Sequence, residues 1–369
     1  MSLRSLKIII SGGGTGGHIF PAIAIADAIR VKLPDAQILF VGAKGRMEMT
    51  RVPEAGYAIN GLWISGFQRK LTTENLLFPF KVASSLLKAR TILRSFKPDV
   101  VIGVGGYASG PTLRMAVSLG IKTLIQEQNS FPGITNRLLG KKVNRICVAY
   151  DSMERWFPKE KTSLTGNPLR EKAINIAGKK KTALEYFGFD EGQLVLLIVG
   201  GSQGAKAINE AIAQNIKVLI NSNMHIIWQT GESFLPVAQK IIADNFTNLI
   251  HPYAFIKEME MAYAAADLIV SRAGAMSISE ISAVGKPAIF VPLPTAAEDH
   301  QTKNAFRLVN KNAAILIRND EAVEKLANAI LKLSNDQNLR NELSNNIRQF
   351  ALPNATDLIV KEVLKLADR

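Results

Sequence analysis

Ile8-Ile9-Ile10-Ser11-Gly12-Gly13-Gly14-Thr15-Gly16-Gly17-His18 is an apolar run that breaks into glycines and then enters a helix-length segment. A strand that ends in glycine and opens a helix exposes backbone N–H groups and the positive end of the helix dipole, a setting suited to phosphate. The same design returns at Gly103-Val104-Gly105-Gly106-Tyr107 and at Gly200-Gly201-Ser202-Gln203-Gly204-Ala205, each behind its own apolar run. One such turn would be an ordinary nucleotide site. Three of them, spread over both halves, point to two phosphate-bearing ligands facing each other across a cleft.

Outward from these turns the chain reads as two α/β series. Strands are expected at residues 7–11, 38–42, 100–103, 123–127 and 145–149, separated by helix-length segments, the pattern of a parallel sheet. A second series follows at 194–200, 225–229, 249–252, 268–271 and 288–291, each closed by a Gly, Ser or Pro turn. Between them lies Thr165-Gly166-Asn167-Pro168, where Pro168 holds Asn167 extended. The boundary is therefore set there, with an N-terminal domain over 1–166 and a C-terminal one over 167–352. The last helix, about 353–369 behind Pro353, either finishes the second domain or packs back on the first.

The 369 residues, 47% of them hydrophobic, suffice for two cores. A single cysteine, Cys147, rules out an intramolecular disulfide and reads as a buried structural thiol in a reducing compartment. The start of the chain lacks a signal-like apolar region, and no apolar run approaches the ~20 residues of a membrane helix. A cytosolic protein that does not span a bilayer is expected. Net charge is +14, and its distribution is more telling: residues 1–166 hold 23 Lys+Arg against 10 Asp+Glu, residues 167–369 hold 22 against 21. One domain is thus expected to face a polyanion, whether nucleic acid, an anionic membrane or a pyrophosphate.

Gly12, Gly14 and Gly17 satisfy G-x-G-x-x-G, but a dinucleotide site also needs an acidic residue closing the second strand. Here Phe40-Val41-Gly42-Ala43-Lys44-Gly45 supplies none. A Walker loop, a D-x-D pair and H-E-x-x-H are all missing, so diphosphate handling without a metal, and without a cofactor, is expected. A leaving diphosphate would then rely on backbone amides and a cation, for which Arg170 is the candidate.

His18 falls in the first helical turn, where the dipole disfavours imidazolium and leaves a ring able to accept a proton; it is either that base or a capping, phosphate-contacting histidine. Glu280, in Ser271-Arg272-Ala273-Gly274-Ala275-Met276-Ser277-Ile278-Ser279-Glu280, either completes a capping box with Ser277 or holds a pair of ribose hydroxyls. Glu298-Asp299-His300-Gln301-Thr302-Lys303-Asn304-Ala305 opens a further helix with a dense polar group.

Taken in order, the three glycine turns, Gln126-Glu127-Gln128-Asn129, Gly166-Asn167-Pro168-Leu169-Arg170, the 272–280 segment and His300-Gln301 with Asn304-Ala305 resemble the MurG family over nearly the whole chain. The resemblance implies a GT-B fold of two Rossmann-like domains. It also implies an inverting transfer of N-acetylglucosamine from UDP-GlcNAc to lipid I, the undecaprenyl-pyrophosphate-linked muramoyl-pentapeptide, in peptidoglycan synthesis. Thr15, Gly16, Gly17, Asn129, Arg170, Ser202, Ile256, Ala275, Met276, Ser277, Ile278, Ser279, Glu280 and Gln301 would line the donor site. Gly13, Gly14, Gly105, Gly106 and Tyr107 would meet the acceptor pyrophosphate. His18 is then the first choice of general base, and Glu127 the runner-up or an orienting partner. Met276 and Ser277 stand where other members carry Leu and Thr.

A bilayer-anchored acceptor implies a peripheral protein on the cytoplasmic face of the inner membrane. Residues 67–97 carry seven cations against Glu74 alone, beside Leu76, Leu77, Phe78 and Phe80, which with Lys81 form the expected patch for an anionic membrane surface. Val82, Leu86, Ala89, Leu93 and Phe96 follow helical spacing and read as core. Two rivals remain. Nucleic-acid binding is disfavoured by 7% aromatic residues and the lack of RNP or zinc-finger patterns. A UDP-GlcNAc epimerase shares the two-domain fold but needs no lipid surface.

Overall fold

The computed structural model describes residues 5–66 and 77–368, excluding the side chain of Ala297. The chain divides into two compact units, residues 1–170 with 352–369, and residues 171–351. The division falls after Arg170, four residues beyond the boundary expected at Gly166, so Arg170 closes the first unit rather than opening the second.

In the first unit seven strands form one all-parallel sheet: β1 (Lys7–Ser11), β2 (Gln37–Ala43), β3 (Ala58–Leu62), β4 (Val100–Gly103), β5 (Lys122–Glu127), β6 (Arg145–Val148) and β7 (Thr162–Leu164), in the order β3-β2-β1-β4-β5-β6-β7. The unbroken apolar run of β1 follows from burial on both faces: Ile8 and Ile10 enter one core, Ile9 the other. Helix Ala355–Leu366 belongs to this unit, where Ile359, Val360 and Val363 share a core with Ile8, Ile25 and Ile29.

The second unit repeats the plan with six parallel strands: β8 (Val195–Val199), β9 (His225–Gln229), β10 (Ile250–Tyr253), β11 (Leu268–Ser271), β12 (Ala288–Phe290) and β13 (Ile315–Leu316), ordered β10-β9-β8-β11-β12-β13. Again the strand residues alternate between cores, Val195 and Leu197 on one side, Leu196 and Ile198 on the other.

Each sheet reverses its winding once, between β1 and β4 and between β8 and β11. Open parallel sheets bind ligands beyond the strand carboxyl ends at this reversal. Glycine turns 12–17 and 103–106 flank it in the first unit; turn 200–205 and the 272–275 segment flank it in the second. Among the described residues no helix is long and apolar enough to cross a membrane.

Candidate active site

In the first unit the two glycine turns pack backbone against backbone. A Cβ on Gly106, whose φ is +84°, would lie 2.1 Å from the Gly13 carbonyl oxygen, and one on Gly12 2.2 Å from Val104 Cγ2. His18 fills the slot beside them: a Cβ on Gly105 would fall 2.7 Å from its Cδ2 and 2.8 Å from its Nε2. Its Nδ1 lies 3.4 Å from Thr15 Oγ1, and Thr15 itself is the exposed, extended residue preceding helix Gly16–Lys32. Tyr107, 48% exposed, lies alongside Gly14 and over Gly66.

Beneath the first turn sits a residue not singled out by sequence reasoning. The buried carboxylate of Glu48 accepts N–H bonds of 2.9 Å from Gly14 and 2.9 Å from Ala43, the last residue of β2. The acid missing from the end of β2 is thus present five residues later, turned back to hold the glycine turn instead of a ribose. This corrects one expectation: the Gly14 N–H is committed to Glu48 and is not open to cradle pyrophosphate. The only sequence signal was an acid in the first turn of the helix Glu48–Glu54.

Glu127, at the end of β5, is buried and saturated with donors. Oε1 accepts from the Asn129 N–H (2.9 Å) and Nδ2 (3.2 Å), Oε2 from the Gly133 N–H (3.1 Å) and Asn136 Nδ2 (2.8 Å). Burial raises its pKa and those four bonds oppose the rise. Its lone pairs shape the 129–136 segment, which fits orientation and not proton abstraction. The neighbouring amides form a buried ladder: Gln126 Nε2 donates to Asn167 Oδ1 (3.0 Å), Asn167 Nδ2 to the Gln128 carbonyl (3.1 Å), and Gln128 Nε2 to the Val104 carbonyl (2.8 Å). The Gln126–Asn129 and Gly166–Arg170 motifs therefore support the second glycine turn from below. Arg170 places its guanidinium 4.9 Å from the centre of the Phe20 ring.

In the second unit Gly204 (φ +78°) and Gly231 (φ +79°) let two turns interlock; a Cβ on Gly204 would sit 2.0 Å from the Thr230 carbonyl oxygen. Gln229 ties the pieces together, donating to the Gly201 carbonyl (2.9 Å) and accepting from the Ile256 N–H (2.9 Å). Ser202 stays exposed at the tip, ahead of helix Lys206–Gln214. Sequence reasoning passed over Gln229, whose position as the last residue of β9 carried no motif.

Helix Ala275–Val284 starts behind Gly274 as N-cap, with no side-chain cap. That overturns the capping-box alternative: Ser277 is already the third helical residue, and Glu280 stands in the second turn, accepting a 2.9 Å bond from the Tyr263 hydroxyl. Arg272 is a clamp, donating to the Val291 (2.9 Å) and Pro292 (3.1 Å) carbonyls and to Asn319 Oδ1 (2.7 Å); burial lowers its pKa to about 10. Before helix His300–Val309, Glu298 (φ +54°) and Asp299 (φ +53°) are both left-handed, a costly pair that turns Gln301 back so its Oε1 accepts from the Leu293 N–H at 2.9 Å.

The expected membrane patch is visible in part, since Leu76 lies outside the described residues. On helix Phe78–Phe96 and its preceding residue, Phe80 (68% exposed), Leu77 (46%) and Leu87 (67%) fall on one 100°-per-residue arc, with Lys88 on one side and Arg90 and Arg94 on the other. Phe78 is half-buried, and Lys81 donates to Ser65 Oγ at 3.1 Å beside the Trp63 ring. Ala89 and Leu93 are core as expected and Val82, Leu86 and Phe96 are partly buried, whereas the exposed Leu87 was not among the residues expected in the patch.

Two all-parallel sheets, each with phosphate-type glycine turns at its winding reversal, define the GT-B class of glycosyltransferases. The glycosyltransferase family 28 N-terminal domain matches residues 8–148 and the corresponding C-terminal domain residues 195–359. The UDP-N-acetylglucosamine–N-acetylmuramyl-(pentapeptide) pyrophosphoryl-undecaprenol N-acetylglucosamine transferases of Flavobacterium psychrophilum and Cytophaga hutchinsonii are each 51% identical to this chain, covering 99% and 98% of it and 99% and 97% of their own lengths. The crystal structure of Acinetobacter baumannii MurG superposes with a TM-score of 0.76 at 32% identity, covering 98% of this chain and 99% of that one. A UDP-N-acetylglucosamine 2-epimerase, at 14% identity and a TM-score of 0.66 with 98% of this chain and 96% of its own covered, shares the fold. The chain belongs to the MurG family.

Proposed function

We propose that this enzyme transfers N-acetylglucosamine from UDP-GlcNAc to lipid I, giving lipid II, with the first unit taking the acceptor and the second the donor. The observation that carries the reading is that each sheet ends in an interlocked glycine turn opening onto a helix N-terminus, with His18 packed against the turn in the first unit and the helix that carries Glu280 starting at the same winding reversal in the second. Metal-independent stabilisation of two diphosphates by amides and dipoles suits such turns.

In this reading the exposed Ser202 turn and the 275–280 helix start bind the UDP diphosphate and ribose, Glu280 being oriented by Tyr263 and Gln301 reading the sugar. Thr15, Gly16, Gly17, Asn129, Arg170 and the Ile256 backbone complete the donor contacts. Gly13, Gly105, Gly106 and Tyr107 contact the acceptor pyrophosphate. His18 removes the proton of the acceptor 4-hydroxyl as that oxygen attacks the anomeric carbon; the bond to UDP breaks on the opposite face, inverting α to β. Charge leaves with the diphosphate through an oxocarbenium-like transition state, so positioning and leaving-group stabilisation dominate. Glu127 fixes Asn129. The exposed Leu77, Phe80 and Leu87 stripe, with its flanking cations, rests on the anionic inner leaflet where the acceptor is anchored.

The test is product formation from radiolabelled UDP-GlcNAc and lipid I with a chelator present. Labelled lipid II despite chelation supports the substrate pair and the metal-independent route. UDP-ManNAc from UDP-GlcNAc alone would replace the reading with an epimerase.

A further inference from the structure

At the amino ends of β8, β11 and β12, opposite the glycine turn, the second unit contains a cavity of about 360 Å³. Helix Gln337–Arg348 closes one side. It turns Leu343 and Ile347 into the core, yet the residues it gives to the cavity are Gln337, Arg340, Asn341, Ser344 and Arg348. These recur at i, i+3, i+4, i+7 and i+11, a complete helical stripe. A stripe that abuts protein is ordinarily apolar; this one is polar throughout and carries two guanidinium groups.

Lys286 faces it from the turn before β12. The one carboxylate lining the cavity, Asp267, is already committed, accepting from Lys180 Nζ at 2.8 and 2.9 Å and from the Val195 N–H at 2.9 Å. Lys286 Nζ reaches only the Ala266 carbonyl (2.6 Å), and Arg340 Nη1 the carbonyls of Leu333 (2.9 Å) and Ser334. Among the described residues none of Lys286, Arg340 and Arg348 has a carboxylate partner. General basicity does not explain this, because residues 167–369 carry 22 cations against 21 anions. Burial, helped by Lys180 and Arg348 and opposed by Asp267, lowers the Lys286 pKa to about 8. Crowding three cations costs free energy that a bound anion would return.

We propose that this cavity is a second anion site, taking a small ligand that presents two or more negative charges on phosphate oxygens. Arg340 and Arg348 supply planar forks for those oxygens, Lys286 a point charge at the cavity wall, and Asn341 and Gln337 neutral donors at the rim.

The experiment is equilibrium dialysis of labelled inorganic pyrophosphate against the full chain with excess UDP present, for the parent protein and for Arg348→Glu and Lys286→Gln. Arg348 is exposed and its side chain makes no hydrogen bond among the described residues, but its stem packs over Gly285, so circular dichroism and UDP affinity check that the variant keeps the fold. A UDP-insensitive component of binding that weakens about tenfold or more in both variants supports the site, the loss expected for one charge-assisted contact. The parent-to-variant difference reads this cavity whether or not UDP binds elsewhere, so failure here is separable from failure of the transferase reading. A parallel sedimentation with phosphatidic acid and phosphatidylglycerol vesicles assigns the source: weaker binding of the variants to phosphatidic acid, whose phosphomonoester carries up to two charges, but not to phosphatidylglycerol identifies a lipid headgroup, and unchanged sedimentation a free solute. Pyrophosphate and vesicle binding that are both indifferent to the two substitutions overturn the proposal.

Discussion

Gly106→Ala tests whether the two glycine turns of the first unit work as one device. The added Cβ would lie 2.1 Å from the Gly13 carbonyl oxygen and 2.9 Å from its nitrogen, with backbone on both sides and no flexible side chain to yield. Relief to an ordinary contact requires the turns to part by roughly 1 Å, and the φ of +84° adds about 1–3 kcal/mol of strain for a non-glycine residue. Displacing a positioning element by that amount costs about 10²-fold in turnover. His18 would move with the second turn, because Gly105 lies under its imidazole. The expected outcome is therefore a fall of about 10²-fold in kcat/KM for lipid I, with a much smaller change in UDP affinity by titration calorimetry, since the proposed function assigns the UDP diphosphate and ribose to the second unit. Lipid I kinetics within threefold of the parent enzyme in a folded Gly106→Ala protein would refute the coupling of the turns.

His18→Ala should lower turnover by about 10²–10⁴-fold while donor affinity persists; near-parental turnover removes it as the base. Phe80→Asp with Leu87→Asp should abolish sedimentation with anionic liposomes, since each buried side chain contributes about 1.5–3 kcal/mol and the flanking cations alone about 1 kcal/mol each; UDP binding serves as the control. Tyr263→Phe should weaken UDP about 3–10-fold by calorimetry, the worth of one hydrogen bond orienting Glu280. For Lys286 the folded pKa of about 8 lies below the ordinary lysine value, so the unfolded chain holds the extra proton between about pH 8 and 10.5 and stability rises with pH across that window. In phosphate-free buffer Lys286→Met should therefore raise urea stability relative to the parent most at and below pH 8, with the difference shrinking toward pH 10.5.

The parallel-sheet strands buried on both faces were legible because burial makes them near-continuous apolar runs: β1, β8 and β11 announce themselves. The three strands that were missed, β3, β7 and β13, lie at or beside sheet edges, and their sequences show why. Ala58–Leu62 contains Asn60 and Gly61, Thr162–Leu164 is three residues with an exposed leucine, and Ile315–Leu316 is only a pair. At the site, what could be read was what the backbone needs. Glycine at 105, 106 and 204 is required by positive φ and by approaches no Cβ survives, so the turns leave a mark in the sequence. The supports leave none. Glu48 and Gln229 act through hydrogen bonds to backbone 5 to 34 residues away, and a carboxylate or amide satisfied in that way looks in sequence like any surface residue. The same distinction bears on Glu127. Its place in a motif drew it toward catalysis, whereas four donors within nine residues make it the scaffold of the segment that presents Asn129, and a base needs a lone pair to spare. His18 is placed differently, with its imidazole packed by shape against Gly105 and its Nδ1 3.4 Å from Thr15 Oγ1, and the His18→Ala measurement decides whether that placement serves the proposed proton transfer.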